Sequence, residues 1–245
     1  MYWLYLSNFA LAAGGWQLFL TDITWSLAVE EQFYLIWPKI IKSLTKSRMI
    51  EFCLALVVLV PLARLLLWSE ANWRWVHMMM PLRADAFAMG ALLYLIPLAS
   101  TRRFAAPVFV IGGVALATLV LSGNFSRTSM LAGTIGYSLV ALVSAAGLIL
   151  ALKSKTLASQ ALVKMGGISF GIYLLHPLCL AVTSSFLGLL ELDLPPLAHS
   201  IVQLSATTVT SIAAAMASYR LIESPFLKLK GFFVSTSLPP GAKSA

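Results

Sequence analysis

The sequence predicts an all-α fold: a polytopic bundle of transmembrane helices, with about seven full spans and a partial span at the amino terminus. Of its 245 residues, 60% are hydrophobic and 11% are charged, and the mean hydropathy is +0.89. Soluble domains are about half apolar and a quarter charged, so this composition indicates an integral membrane protein. Apolar runs of about 20 residues recur along the chain, and each is long enough to cross a hydrocarbon core as a helix.

The seven predicted spans share this length and apolar character. In chain order they are Thr24 to Ile41, Met49 to Trp68, Arg83 to Ala99, Ala105 to Ser122, Ser129 to Leu152, Ile168 to Leu190 and His199 to Ile222. Residues 1–20 form the partial span, because Gly14 and Gly15 interrupt the apolar run. The sequence therefore predicts one membrane domain over residues 1–234, incomplete at its amino terminus, followed by a polar, disordered tail over residues 235–245.

Basic residues cluster in alternate gaps between the predicted spans. Lys42, Arg102 and Lys155 mark three such gaps, and Arg220 follows the last span. The positive-inside rule places these clusters, and hence the carboxyl terminus, in the cytoplasm, which is expected for a protein of the bacterial plasma membrane. The net charge of +8 is explained by topology and lipid headgroups, so no nucleic-acid partner is expected.

The stretch ITWSLAVEEQFYLIWP carries two adjacent carboxylates, Glu30 and Glu31, in a predicted span. Helical spacing places Glu30 on one stripe with Ser26 and Tyr34, whereas Glu31 faces elsewhere. Ionisable residues in a span cost about 2.5 to 3.5 kcal/mol, which makes Glu30 a candidate site residue. The alternative is that both carboxylates complement the helix dipole near its amino end, and the residues alone leave both interpretations open.

Two further stretches place polar residues in predicted spans. In MPLRADAFAMG, Arg83 presents a planar fork of donors that suits an anion, although Arg83 and Asp85 could also simply open a helix. In GGISFGIYLLHPLCL, Tyr173 and His176 are neighbours on one helical face, and Pro177 leaves the carbonyl of Tyr173 without its helical donor. His176 is either a functional residue at membrane depth or a packing residue.

Several of these stretches together resemble one family. Residues Trp25 to Tyr34 (WSLAVEEQFY) match the WSLxxExxFY pattern of the acyltransferase-3 family of membrane O-acyltransferases. Three later stretches resemble the family in the same order, and they are RADAFAMG, GISFGIYLLHP and YRLIESPF. The resemblance implies transfer of an acyl group, often acetyl from acetyl-CoA, to a hydroxyl of a cell-envelope carbohydrate.

The resemblance also implies roles for individual residues. Glu30 and His176 are the expected catalytic residues, and six further residues are expected to bind substrate. These six are Trp25, Ser26, Tyr34, Arg83, Asp85 and Tyr173. The family's arginine and histidine pair on the first membrane helix has no counterpart at the start of this sequence, so the chain is expected to lack the amino-terminal helices and, by itself, the catalytic base.

The expected partners are the lipid bilayer, an acyl-CoA donor and an envelope glycan, with no metal and no bound cofactor. Cys53 and Cys179 lie in apolar runs and do not suggest a disulfide or a metal site. Two other classes of function stay open. Intramembrane Glu, Arg and His also mark substrate routes in a transporter or flippase for an envelope precursor, and an inactive fragment could serve as a membrane interaction protein.

Overall fold

A computed structural model describes residues 2–14, 23–126, 128–152, 159–190 and 194–227, and every element assigned in these ranges is helical. The predicted all-α class is therefore confirmed. Chain contacts separate two compact units, Met1–Leu157 and Ala158–Ala245. The predicted tail over residues 235–245 lies outside the described residues.

The first unit contains seven α-helices in its described part. They are α1 (Ser7–Gly14), α2 (Thr24–Ser43), α3 (Lys46–Leu67), α4 (Trp73–Met78), α5 (Ala84–Leu95), α6 (Leu98–Leu121) and α7 (Tyr137–Ala151). Short 3₁₀ turns cover Tyr2–Leu4 and Met80–Arg83, and a π-helical turn, Ala132–Gly136, leads into α7.

Apolar packing joins the helices of the first unit. Met49 and Cys53 of α3 form a buried core with Ala88 of α5. Between α6 and α7, a Cβ atom added to Gly112 would lie 2.6 Å from a methyl carbon of Val143. Only glycine permits this approach, and small residues are what closely packed membrane helices use.

The second unit contains three α-helices in its described part. They are α8 (Gln160–Gly167), α9 (Ser169–Leu189) and α10 (Pro196–Ser218), and a π-helical turn, Tyr219–Glu223, continues α10. The Ser159 hydroxyl accepts the Leu162 N–H and caps α8. Gly171 of α9 lies against Ala215 of α10, where an added Cβ would meet the Ala215 side chain at 3.2 Å.

Five helices in the described part of the chain are long and apolar enough to cross a membrane. They are Lys46–Leu67, Ser100–Leu121, Ala132–Ala151, Ser169–Leu189 and Pro196–Leu227. The remaining two predicted spans are also helical. The first, α2, covers 20 residues but carries the charges of Glu30, Glu31, Lys39 and Lys42.

The third predicted span, Arg83 to Ala99, is shorter than expected. Its helix α5 has 12 residues, which rise about 18 Å at about 1.5 Å per residue. Ile96 is extended, with φ −97° and ψ 131°, because the following Pro97 disfavours a helical conformation there. A new helix begins at Leu98, so Arg102 lies in the first turns of α6 and not in a loop.

Candidate functional site

A buried ion pair joins α3 to α5 in the first unit. The side chains of Arg64 and Asp85 are 0% and 1% exposed, and their closest atoms, Nη2 and Oδ2, are 2.7 Å apart. Arg64 Nη1 also donates to Asp85 Oδ1 at 3.2 Å and to the Leu82 carbonyl oxygen at 2.9 Å. Two parallel N–H donors on one carboxylate are the strong, geometrically specific form of this pair.

Ser138, near the start of α7, completes this arrangement. Its hydroxyl accepts a hydrogen bond from Arg64 Nη2 and donates one to Asp85 Oδ2. Buried charges in a membrane protein are stable only when paired and hydrogen-bonded. The three side chains therefore fix α3, α5 and α7 to one another.

Arg83 lies at the end of the 3₁₀ turn before α5 and is half-buried. Its Nε donates to the His77 carbonyl oxygen at 2.8 Å, and its Nη2 lies 3.1 Å from His77 Nδ1. The guanidinium carbon is 3.9 Å from the centre of the Tyr137 ring and 5.3 Å from that of Trp25. Aromatic faces attract the cation and hold its plane in a defined orientation.

His77, on α4, connects these aromatic residues. Its ring lies 4.7 Å from the Trp25 ring, and its Nδ1 is 2.5 Å from the Tyr137 hydroxyl oxygen. A guanidinium nitrogen can only donate, so Nδ1 accepts from Arg83 only when it carries no proton. The neutral ring then carries its proton on Nε2.

The residues described above form one cluster, which carries more positive than negative charge. Its members are Trp25, Arg64, His77, Arg83, Asp85, Tyr137 and Ser138. Arg64 and Arg83 bring two guanidinium groups, whereas Asp85 is its one carboxylate among the described residues and already serves Arg64. Arg83 donates to His77 through Nε and Nη2, and its guanidinium also interacts with the Tyr137 side chain. An arginine held in place in this way can bind an anion or stabilise an oxyanion.

The structure brings three of the predicted site residues together, namely Trp25, Arg83 and Asp85. Ser26 follows Trp25, and its hydroxyl donates to the Ile23 carbonyl oxygen at 3.0 Å. Glu30 and Tyr34 share a face, as predicted, but this face is exposed, with Tyr34 59% accessible. Within the described part of the chain the Glu30 carboxylate has no ion pair or hydrogen bond.

Gln32 takes the inward position on α2 instead. Its amide donates to the Tyr5 carbonyl oxygen at 2.8 Å and to Asn8 Oδ1 at 3.0 Å. The side-chain contact of α2 with Asn8 of α1 therefore comes from the residue after the two glutamates. The predicted roles of Glu30 and Tyr34 stay predictions.

Tyr173 and His176 lie on α9 in the second unit, with ring centres 5.7 Å apart. His176 Nδ1 is 2.6 Å from the Tyr173 carbonyl oxygen. This is the carbonyl that Pro177 leaves without a helical donor, as the sequence predicted. Because a carbonyl only accepts, the proton lies on Nδ1 and Nε2 of the neutral ring is an acceptor.

Sequence reasoning missed four residues of the cluster. Arg64 carried a readable signal, since an arginine in an apolar run is itself a site candidate. His77 lies between the predicted spans Met49 to Trp68 and Arg83 to Ala99, where a buried side chain is not expected, yet its side chain is buried. Tyr137 and Ser138 carried no signal in the sequence. Among described residues, no group of three His, Cys, Asp or Glu side chains could hold a metal ion.

Comparison with known families gives one match. A family model described as an acyltransferase domain matches residues 1–220. The matched range contains the whole of Trp25 to Tyr34, Arg83 to Gly90 and Gly167 to Pro177, three of the four stretches singled out in the sequence. Comparisons with curated proteins and with solved structures gave no match.

Proposed function

The chain belongs to the acyltransferase-3 family of membrane proteins, and on that premise we propose that it transfers an acyl group, acetyl by preference, to a hydroxyl of a cell-envelope carbohydrate. The donor in this proposal is acetyl-CoA or another acyl-CoA. The membrane is the bacterial plasma membrane, with the carboxyl terminus in the cytoplasm. Five apolar helices of spanning length agree with the membrane setting.

The observation that carries the proposal is the position of Arg83. In acyl transfer, the acceptor oxygen attacks the thioester carbonyl carbon and loses its proton to a base. Negative charge develops on the carbonyl oxygen before the carbon–sulfur bond breaks and the CoA thiolate leaves. Fixed donors placed where this charge appears lower the barrier. Arg83 has a positive charge and an orientation fixed by Tyr137, His77 and Trp25, so it suits that role.

The other proposed roles follow from where each side chain lies. Asp85 is a positioning residue, because it contacts Arg64 and Ser138. Trp25 forms a wall beside Arg83, and Ser26 and Tyr34 extend the same motif along α2. Glu30 and His176 are the proposed catalytic residues, with Tyr173 beside His176 as a substrate contact.

Replacement of Arg83 by lysine tests the proposal. Lysine keeps the charge but loses the planar fork and the stacking on Tyr137. The protein, together with any coding sequence that precedes Met1 in its gene, is expressed in a bacterial host deleted for envelope O-acetylation, and ester-linked acetate on the envelope glycan is measured. We expect acetate with the parent protein and at least a tenfold loss with Arg83→Lys, equivalent to about 1.4 kcal/mol of transition-state stabilisation.

Arg103→Lys is the matched control. Arg103 also lies over an aromatic ring, that of Phe104 at 4.6 Å, but it is exposed on α6. Its replacement should leave acetate unchanged at equal membrane abundance. Absence of acetate with the parent protein, or equal activity of Arg83→Lys and Arg103→Lys, would overturn the assignment. Glycan that reaches the surface without new esters would favour a transporter instead.

A further inference from the structure

A cleft between α9 and α10 of the second unit is lined by both apolar and polar side chains. Its volume is about 300 Å³, and its lining combines aliphatic side chains with hydroxyls and one imidazole. The residues that matter are Leu204, Ile212, Thr207, Thr208, Ser211 and His176. No Lys, Arg, Asp or Glu belongs to the described lining.

Ser211 is the first of two unsatisfied groups in this cleft. Its side chain is 2% exposed, and its Oγ has no hydrogen-bond partner among the described residues. Its neighbours behave differently: the hydroxyls of Thr208 and Thr210 donate to the carbonyl oxygens of Leu204 and Ala206 at 2.7 and 2.8 Å. A buried hydroxyl that does not bond to its own helix destabilises the fold unless something else pairs with it.

Thr207 does not supply that partner. Its hydroxyl interacts with the Thr183 hydroxyl at 2.9 Å and accepts from Gln203 Nε2 at 3.2 Å. These contacts form a separate polar network between the two helices. Ser211 is outside this network, although it lines the same cleft.

His176 supplies the second unsatisfied group. Its Nδ1 proton is committed to the Tyr173 carbonyl oxygen, so Nε2 of the neutral ring can only accept. Nε2 has no hydrogen-bond partner in the part of the chain that the structure describes. A partner that satisfies both groups must donate to Nε2 and must accept from, or donate to, Ser211 Oγ.

We infer that the cleft between α9 and α10 binds a neutral, hydroxyl-bearing ligand such as one sugar ring. A hydroxyl donates to Nε2, whereas a carbonyl or ether oxygen cannot. A phosphate or carboxylate would enter a lining that offers no fixed cation, and a hydrocarbon chain would satisfy neither group. The volume is at the lower end of ligand pockets, which fits one ring and not an oligosaccharide.

This inference deepens the proposed function and rests on it in one respect: identification of the bound hydroxyl as the acyl acceptor. The aliphatic wall of Leu204 and Ile212 suits the apolar face of a sugar ring. The polar edge of the ring then meets Ser211 and His176. Binding itself requires no turnover, so it is tested separately.

The test uses single reporter cysteines on α10 in a Cys53→Ala, Cys179→Ala background. Thr208→Cys lines the cleft, and Thr210→Cys is the matched control, exposed on the same helix but outside the lining. Both substitutions remove a hydroxyl that bonds only within α10. The reaction rate with a small, water-soluble methanethiosulfonate is measured in membrane vesicles, with and without methyl β-glucoside as the probe.

We expect methyl β-glucoside to slow labelling of Thr208→Cys at least fivefold and to leave Thr210→Cys unchanged. Addition of Ser211→Ala, or of His176→Phe, should raise the half-protecting concentration about fivefold, the effect of one lost neutral hydrogen bond. Sodium phosphate should give no protection. Every variant is compared at the membrane abundance of the parent.

Three results would overturn the inference. Fast labelling without protection by the glucoside would identify a water-filled cleft. Equal protection at both reporters would indicate a non-specific effect, and unchanged protection in both the Ser211→Ala and His176→Phe variants would exclude the assigned contacts. Protection without glycan acetylation would refute the proposed function instead and leave the binding site in place.

Discussion

Replacement of Asp85 by asparagine should destabilise the protein by about 3 kcal/mol. The substitution keeps the shape of the side chain and removes its charge, so the fully buried Arg64 guanidinium loses its counter-ion. One partner removed from a buried ion pair costs about 3–5 kcal/mol. The lower figure applies because the Leu82 carbonyl and the Ser138 hydroxyl still accept from Arg64. Unfolding by sodium dodecyl sulfate in mixed micelles, followed by tryptophan fluorescence, measures the change.

A double substitution separates charge burial from packing. Arg64→Met removes the guanidinium, so in combination with Asp85→Asn no uncompensated charge stays buried, and the pair should be about 2 kcal/mol more stable than the two single effects predict. Glu51→Gln is the control, because Glu51 is exposed on the same helix as Arg64, and its effect should stay within about 0.5 kcal/mol. Additive single effects, or an Asp85→Asn variant as stable as the parent, would refute the reasoning.

Two further predictions concern α2 and the topology. In the protein expressed with any coding sequence that precedes Met1, Glu30→Gln should abolish glycan acetylation while Glu31→Gln has a milder effect, both measured as ester acetate at equal membrane abundance; equal losses would mean that the helix-dipole explanation is sufficient. In a protein without Cys53 and Cys179, a membrane-impermeant maleimide added from outside should label Asp193→Cys and not Lys155→Cys, and the reverse pattern would contradict the predicted orientation.

The helices could be predicted because their signal is local. Apolar runs of spanning length identified all seven predicted spans as helical, and the main error came from a single residue, Pro97, which ends α5 early. Proline was visible in the sequence, but a continuous apolar run outweighed it in the prediction. The predicted end of this span at Ala99 followed from the apolar composition, whereas the observed helix ends at Leu95 because of the backbone geometry before Pro97.

The site could be predicted only in part because its contacts are distant in sequence. Arg83 and Asp85 were found because charge in an apolar setting is itself a signal. The partners of Asp85 are far away in sequence: Ser138 is 53 residues from it, and Arg64 is 21 residues from it. Helical periodicity correctly grouped Glu30 with Tyr34, but the neighbouring helices determine which face turns inward, and α1 selects Gln32.

The ion pair between Arg64 and Asp85 also bears on how the chain enters the membrane during synthesis. Arg64 lies within an apolar helix, Lys46–Leu67, that emerges before Asp85, which follows it by 21 residues. An arginine near the middle of a helix opposes insertion by about 2.5 to 3.5 kcal/mol, and this penalty decreases towards the helix end. Until Asp85 is synthesised, the Arg64 guanidinium must stay in the aqueous channel of the translocon or at the membrane–water interface. Insertion of α3 and α5 into lipid is therefore most favourable when both helices leave the translocon together. In that case Asp85 of α5 neutralises the charge of Arg64 of α3 as the two helices enter the membrane.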